Sequence, residues 1–225
     1  MRSLPVLSYA AVAAGTLGVL HAPFHSAAYL ATEEGASGGA LLAWGAPFRD
    51  AVPGAFGFAD AWGVYRAIGS VQPFVLAGML AGLWVLHRLQ AAPGRRFERM
   101  AFWALFGLWG AFTAATAVEY ATPYRDAAFA VGFPALLLSL VGFIVYGIAT
   151  LRAKVLPKAV GWSLIVGAAA AVPLAASFGH IAMALVLLDV ALMAFGLLGL
   201  QARSGVPSRP PGAAQGRPLV AAPER

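Results

Sequence analysis

His87-Arg88-Leu89-Gln90-Ala91-Ala92-Pro93-Gly94-Arg95-Arg96-Phe97-Glu98-Arg99 is a short basic turn wedged between two long apolar runs. Arg88, Arg95, Arg96 and Arg99 crowd around the turn-forming pair Pro93-Gly94. Arginine and lysine in a short loop keep that loop on the cytoplasmic side of a membrane. Once this turn is placed inside, every other segment of the chain has a side.

The composition agrees. Of 225 residues, 60% are hydrophobic and 11% charged, and the mean hydropathy is +0.78. Soluble domains carry about 25% charged residues, too many for this chain to match. The expected class is an all-α, polytopic transmembrane helix bundle, whose first partner is the lipid bilayer. The net charge of +6 would fit nucleic acid, but the basic residues sit at the ends of apolar runs, where topology accounts for them, so no nucleic-acid partner is expected. There is no cysteine, which excludes disulfides, thiolate metal sites and cysteine nucleophiles. No glycine-rich phosphate loop with a lysine is present either.

Six spans follow from the apolar runs, at about 4–30, 68–89, 97–118, 127–151, 157–176 and 178–200. They form one domain over residues 1–200, followed by a tail, 201–225, whose Arg, Pro, Gly and Ala content predicts disorder on the cytoplasmic side. The first run is longer than the apolar core of a signal peptide and is expected to be retained, with cleavage near Ser26-Ala27-Ala28 as the rival. Pro23 lies within it. The long connection, 31–67, carries Glu33, Glu34 and several Gly and Pro residues, yet it is punctuated by Leu41, Leu42, Trp44, Phe48, Phe56, Phe58, Trp62 and Tyr65. It should fold down over the helix ends, with a short interfacial helix over Asp60 to Ile68. Asp126 is the expected N-cap of the fourth span. The very short link between the last two spans predicts an antiparallel hairpin.

With six spans, 12 of the 15 basic residues fall on the inner side: Arg2, Arg88, Arg95, Arg96, Arg99, Arg152, Lys154, Lys158, Arg203, Arg209, Arg217 and Arg225. Only Arg49, Arg66 and Arg125 fall outside. Both termini are therefore expected inside. Gly78 and Gly82 form a GxxxG pair, which also admits a homodimer or a partner membrane helix.

Five residues stand out as candidates for ligand binding. Asp189 lies near the middle of the last span, where an ionisable group costs about 2.5–3.5 kcal/mol and points to function or to a specific packing bond. His21 and His25 are spaced i, i+4 on one helix face, as in metal-binding helices, although the glutamate of a metalloprotease motif is missing. His180 and Glu119 end spans on the same outer side. Helix rise puts His21 and Asp189 at one depth, about 13 Å inward. His180 and Asp189, nine positions apart, fall on opposite faces of their helix.

These residues support three readings. The first is binding or transport of a small molecule or lipid from the outer side. The second is a metal-dependent membrane enzyme acting on lipid-like substrates, with His21 and His25 as ligands and Asp189 or Glu119 as ligand or base. The third is a haem-binding redox protein with His25 and His180 as the axial pair. The sequence itself requires no cofactor.

Leu156-Pro157-Lys158-Ala159-Val160-Gly161-Trp162, after Leu151-Arg152-Ala153-Lys154, resembles a pattern in uncharacterised small bacterial multi-pass membrane proteins. In these a helix ends in a basic turn and Pro-x-x-x-Gly-Trp opens the next. The resemblance covers about twenty residues, implies a bacterial cytoplasmic (inner) membrane, and carries no activity or functional residues.

Overall fold

A computed structural model describes residues 4–37, 60–90 and 96–204. The elements are α1 (Leu4–Leu30), α2 (Glu33–Ser37), α3 (Ala61–Gly69), α4 (Gln72–Gln90), α5 (Arg96–Ala121), α6 (Arg125–Ala153), α7 (Lys158–Phe178) and α8 (Ile181–Ser204). There is no strand among the described residues. Six helical segments are long and apolar enough to cross a membrane, with α3 and α4 together forming one of them, Ala61–Gln90. The protein is thus an all-α, six-span bundle.

Several boundaries refine the sequence reading. The first span is as expected, and the short helix over Asp60 to Ile68 is α3, with Asp60 as its N-cap accepting from the Gly63 N–H. The fourth span starts earlier than expected. Its N-cap is Tyr124, without a side-chain bond, and Asp126 lies in the first helical turn, where a carboxylate suits the positive end of the helix. The last helix runs on through Gln201 to Ser204, so the helical part outlasts the predicted start of the tail. The aromatic loop at Leu41, Leu42, Trp44, Phe48, Phe56 and Phe58, the turn at Pro93-Gly94, and the tail from 205 onward lie outside the described residues.

The helices close into a ring in chain order, α1–α4–α5–α6–α7–α8, with α8 packing back on α1 and α4 also touching α8. In lipid the hydrophobic effect does not press helices together, so close packing and small residues must do so. The α1–α8 seam shows this. A Cβ on Gly15 would come within 2.6 Å of the Asp189 carbonyl oxygen, and one on Gly196 within 2.6 Å of the Ser8 carbonyl oxygen. The same holds at α6–α7, where a Cβ on Gly147 would meet the Gly161 carbonyl oxygen at 2.7 Å. Gly78 and Gly82 are used in the same way: Gly78 lies on Ala14 of α1, and Gly82 on Leu192 of α8. That GxxxG face is spent inside the bundle and is not presented to a partner helix.

The middle of the bundle is an apolar core. Met79, Leu83 and Leu86 of α4, Leu105 and Trp109 of α5, Phe143 of α6, Leu164 of α7, and Leu188 and Leu192 of α8 are fully buried. The Trp109 indole N–H is satisfied by the Leu76 carbonyl at 3.2 Å. The core separates two polar ends. One carries Arg88, Arg96, Arg99, Arg152, Lys154 and Lys158 and is called the basic end below. The other carries the histidines.

Candidate ligand cavity at the histidine end

Four parts of the chain converge opposite the basic end. α1 supplies His21, His25 and Tyr29, α3 supplies Tyr65, α5 supplies Tyr120, and the α7–α8 turn supplies His180. Ring centroids are 4.8 Å apart for His21–His25, 4.5 Å for His25–His180 and 5.1 Å for His25–Tyr65.

Local chemistry explains each placement. Asp60 caps α3, whose amphipathic turn buries Val64 and Tyr65 and exposes Arg66 and Ala67. Pro73 cannot donate a helical hydrogen bond, and the helix breaks just before it at Ser70-Val71. At the break the Ile68 carbonyl is engaged only by the N–H groups of the turn, and His21 Nε2 donates to it at 2.8 Å. Gly179, at φ 70, closes α7 in the left-handed conformation that glycine adopts freely. The next residue, His180, then opens α8: its Nδ1 accepts the Ala182 N–H at 3.2 Å.

These bonds fix tautomers. His21 Nε2 faces a carbonyl and so carries the proton, leaving a lone pair on Nδ1. His180 Nδ1 accepts, so in the neutral ring Nε2 is the donor, and it reaches the Tyr65 hydroxyl at 3.3 Å. The Tyr65 and Tyr120 hydroxyls are 2.8 Å apart, and the Tyr120 hydroxyl is 2.7 Å from His25 Nε2. A continuous hydrogen-bonded chain therefore runs His180–Tyr65–Tyr120–His25. Burial, with His21 nearby, pushes the His180 imidazole down to about 3, so it is neutral at pH 7. Gln72 is buried beside His21 and His25, yet no bond to either Nδ1 meets hydrogen-bond geometry.

A cavity of about 470 Å³ opens against this chain. Its polar end is made by His25, Tyr65, Gln72, Tyr120 and His180, and its apolar wall by Phe112, Phe129, Gly132, Phe133 and Leu136. Phe129 and Phe133 stack on each other and are 56% and 45% exposed, so this wall lies at the bilayer-facing side of α6. A second hollow of about 350 Å³ lies nearer the helix ends, and Glu34, Tyr65, Glu119, Tyr120 and Arg125 line both. Arg125 pairs with Glu34 at 2.8 Å and sits 4.2 Å over the Trp62 ring.

The five residues singled out from the sequence are thus divided. His25, Glu119 and His180 line the cavity. His21 lies behind them against Ile68. Asp189 is 2% exposed and lies on α1 at Gly18, where an added Cβ would come within 2.5 Å of its carboxyl. That places it one helical turn deeper than His21, not level with it. His180 and Asp189 do point to different places, as their spacing implied. Among the described residues no group of three or more His, Asp or Glu side chains is arranged to hold a metal ion. His25 and His180 do come together, but their rings pack directly on each other and leave no slot between them for a porphyrin. Tyr65, Tyr120 and Gln72 join the site; the sequence places Tyr65 among the aromatics of the long connection and singles out neither Tyr120 nor Gln72. The amphipathic pattern of α3 was the available signal for Tyr65.

No family model matches the chain, and comparisons with curated proteins and with solved structures also return no match.

Proposed function

We propose that this protein binds, for sequestration or transport, an amphipathic small molecule or lipid that reaches it from the outer side of a bacterial cytoplasmic membrane. One observation carries the reading: the 470 Å³ cavity joins a hydrogen-bonding end of imidazole and phenol groups, flanked by Glu34, Glu119, Arg125 and Asp126, to an apolar wall at the bilayer-facing side of α6. Ligand sites of about 300–1,000 Å³, mostly apolar with a few convergent polar groups, have this make-up. A molecule with an apolar body and a hydrogen-bonding polar head fits it. The basic end supports the orientation, since Arg88, Arg96, Arg99, Arg152, Lys154 and Lys158 gather there and would face the cytoplasm. The core of Leu105, Trp109, Phe143 and Leu188 closes the cavity toward that side, so a transporter would have to repack it.

The test is extraction and mass spectrometry of what co-purifies with the full chain in mild detergent, compared with His25→Gln and Thr116→Leu. His25→Gln alters the polar end and Thr116→Leu adds bulk to the cavity wall. An amphiphile enriched in the wild type should fall by about tenfold or more in both variants, the loss expected for a hydrogen bond or a filled cavity worth 1.4 kcal/mol. Extracts of identical composition from all three proteins would sink the proposal.

A further inference from the structure

The α7–α8 hairpin carries a groove of about 590 Å³ on its outer face. It shares no lining residue with the cavity at the histidine end. Small residues give it depth: Gly167 and Ala191 are buried between Val166, Leu187 and Leu197, which are exposed. Its one hydroxyl, on Ser163, is spent on the Val160 carbonyl at 2.9 Å. The walls therefore offer hydrocarbon. The groove runs from Pro157 and Gln201 at the basic end to Gly167 and Leu187 in mid-bundle. The ten residues from Pro157 to Gly167 rise about 15 Å. That is the depth of one leaflet, half of a hydrocarbon core of about 30 Å.

The mouth of the groove is positive. Pro157 and Ala159 line it, and Lys158 lies between them. Lys154 ends α6 in the left-handed conformation, four residues earlier. Both lysines are exposed and neither has an ion-pair partner among the described residues. From 127 to 204 the sequence holds one acid, Asp189, which is buried on Gly18. Glu98, the acid of the basic end, is taken by His87 and Tyr146. Lys158 also stands in the first turn of α7, whose N-cap Pro157 makes no side-chain bond. A cation is unfavourable at that positive helix end, and an anion placed there relieves it.

We infer that this groove is a site for an anionic phospholipid of the leaflet at the basic end, with one acyl chain along α7–α8 and its phosphate at Lys154 and Lys158. Charge selects this occupant over two others. The chain beyond Ser204 carries Arg209, Arg217 and Arg225 against Glu224, and would bring more positive charge to the lysines. A second copy in the same membrane orientation would bring its own Lys154 and Lys158 to the same level, where like charges repel. A phospholipid supplies hydrocarbon and negative charge in the order the groove presents them.

The test is native mass spectrometry of the full chain in mild detergent, titrated with phosphatidylglycerol or with phosphatidylcholine of the same acyl chains. The first lipid bound by the wild type should be held about tenfold or more tightly when it is anionic, as two lysines near a headgroup imply. Lys154→Asn with Lys158→Gln should abolish that preference; asparagine tolerates the left-handed position. Ala194→Phe lies at an exposed position of α8 and fills the groove, so it should weaken the anionic lipid about tenfold or more. None of these three residues lines the histidine-end cavity, so the result stands whatever that cavity holds. Equal affinity of the wild type for both lipids would overturn the inference. So would a preference that survives loss of both lysines, or wild-type affinity in Ala194→Phe. A wild-type dimer that Ala194→Phe separates would overturn it in favour of a second copy.

Discussion

The two ends of the bundle both bury a histidine–tyrosine network, and they use it differently. At the basic end His87 Nδ1 meets Glu98 Oε1 at 3.0 Å, Tyr146 donates to the same oxygen at 3.2 Å, and Gln90 donates to Tyr146 at 3.2 Å and to Thr150 at 3.1 Å. His87 stacks flat on Phe102 with centroids 3.9 Å apart. The network ties α4, α5 and α6 together and leaves one buried atom, Gln90 Oε1, without a partner. At the histidine end the rings border a cavity, and four buried atoms of α1 and α8 lack partners among the described residues: His21 Nδ1, His25 Nδ1, Ser26 Oγ and Asp189 Oδ1. Packed and nearly complete polar networks specify structure, whereas incomplete ones beside open space are where an occupant is accommodated.

If that contrast is right, the largest loss of stability should come from the basic end. Glu98→Ala removes the acceptor shared by His87 and Tyr146 in a site where Glu98 is 5% exposed. Leaving these two largely buried partners without their shared acceptor costs about 1–3 kcal/mol for each. Unfolding in mixed detergent micelles would measure it. A loss below about 1 kcal/mol would show that this end is no clamp.

The next effect is a pH dependence from the other end. His180 stays neutral in the folded protein down to about 3, whereas the unfolded chain takes up a proton near the ordinary value of about 6.5. Stability is therefore complete above about pH 6.5 and is lost as pH falls through the window below it. At pH 5 the loss should be about 2 kcal/mol. His180→Gln should flatten the dependence in that window. A wild-type melting curve insensitive to pH between about 7 and 5, or one unchanged by the substitution, would remove His180 from the buried cluster.

The sequence disclosed these two ends unequally. The bundle was legible because a span is a run of roughly twenty apolar residues, a local property that needs no knowledge of neighbours. α3 was legible from Asp60 and the pattern after it. His21, His25, His180 and Asp189 were visible because histidine and aspartate are rare in apolar runs. Their grouping was not. That Asp189 faces Gly18 depends on the α1–α8 contact, which no spacing within one helix encodes; the small side chains at Gly15 and Gly18 on the His21 face were the nearest hint. Gln90 and Glu98 were missed because each sits at a helix end, where a polar residue is unremarkable, and Tyr146 because a tyrosine inside α6 reads as a core aromatic until three helices bring them together.

The sharpest comparison uses one chemical change at both ends. Tyr146→Phe and Tyr120→Phe each remove a single hydroxyl that bridges two partners. At the basic end the loss leaves Gln90 with Thr150 alone and Glu98 with His87 alone, in a packed and buried network, so about 2 kcal/mol of stability should go. At the histidine end the hydroxyl lies between His25 and Tyr65 at the edge of the cavity, where water can take its place, so the loss should be about 1 kcal/mol or less. Retention of the co-purifying amphiphile should follow the opposite order, falling in Tyr120→Phe and holding in Tyr146→Phe. If both substitutions cost the same stability and neither changes retention, the two networks are equivalent clamps and the cavity between α5, α6 and α8 has no ligand to hold. A crossed result, with stability lost at one end and ligand at the other, would assign fold to the first network and binding to the second by the same atom removed from each.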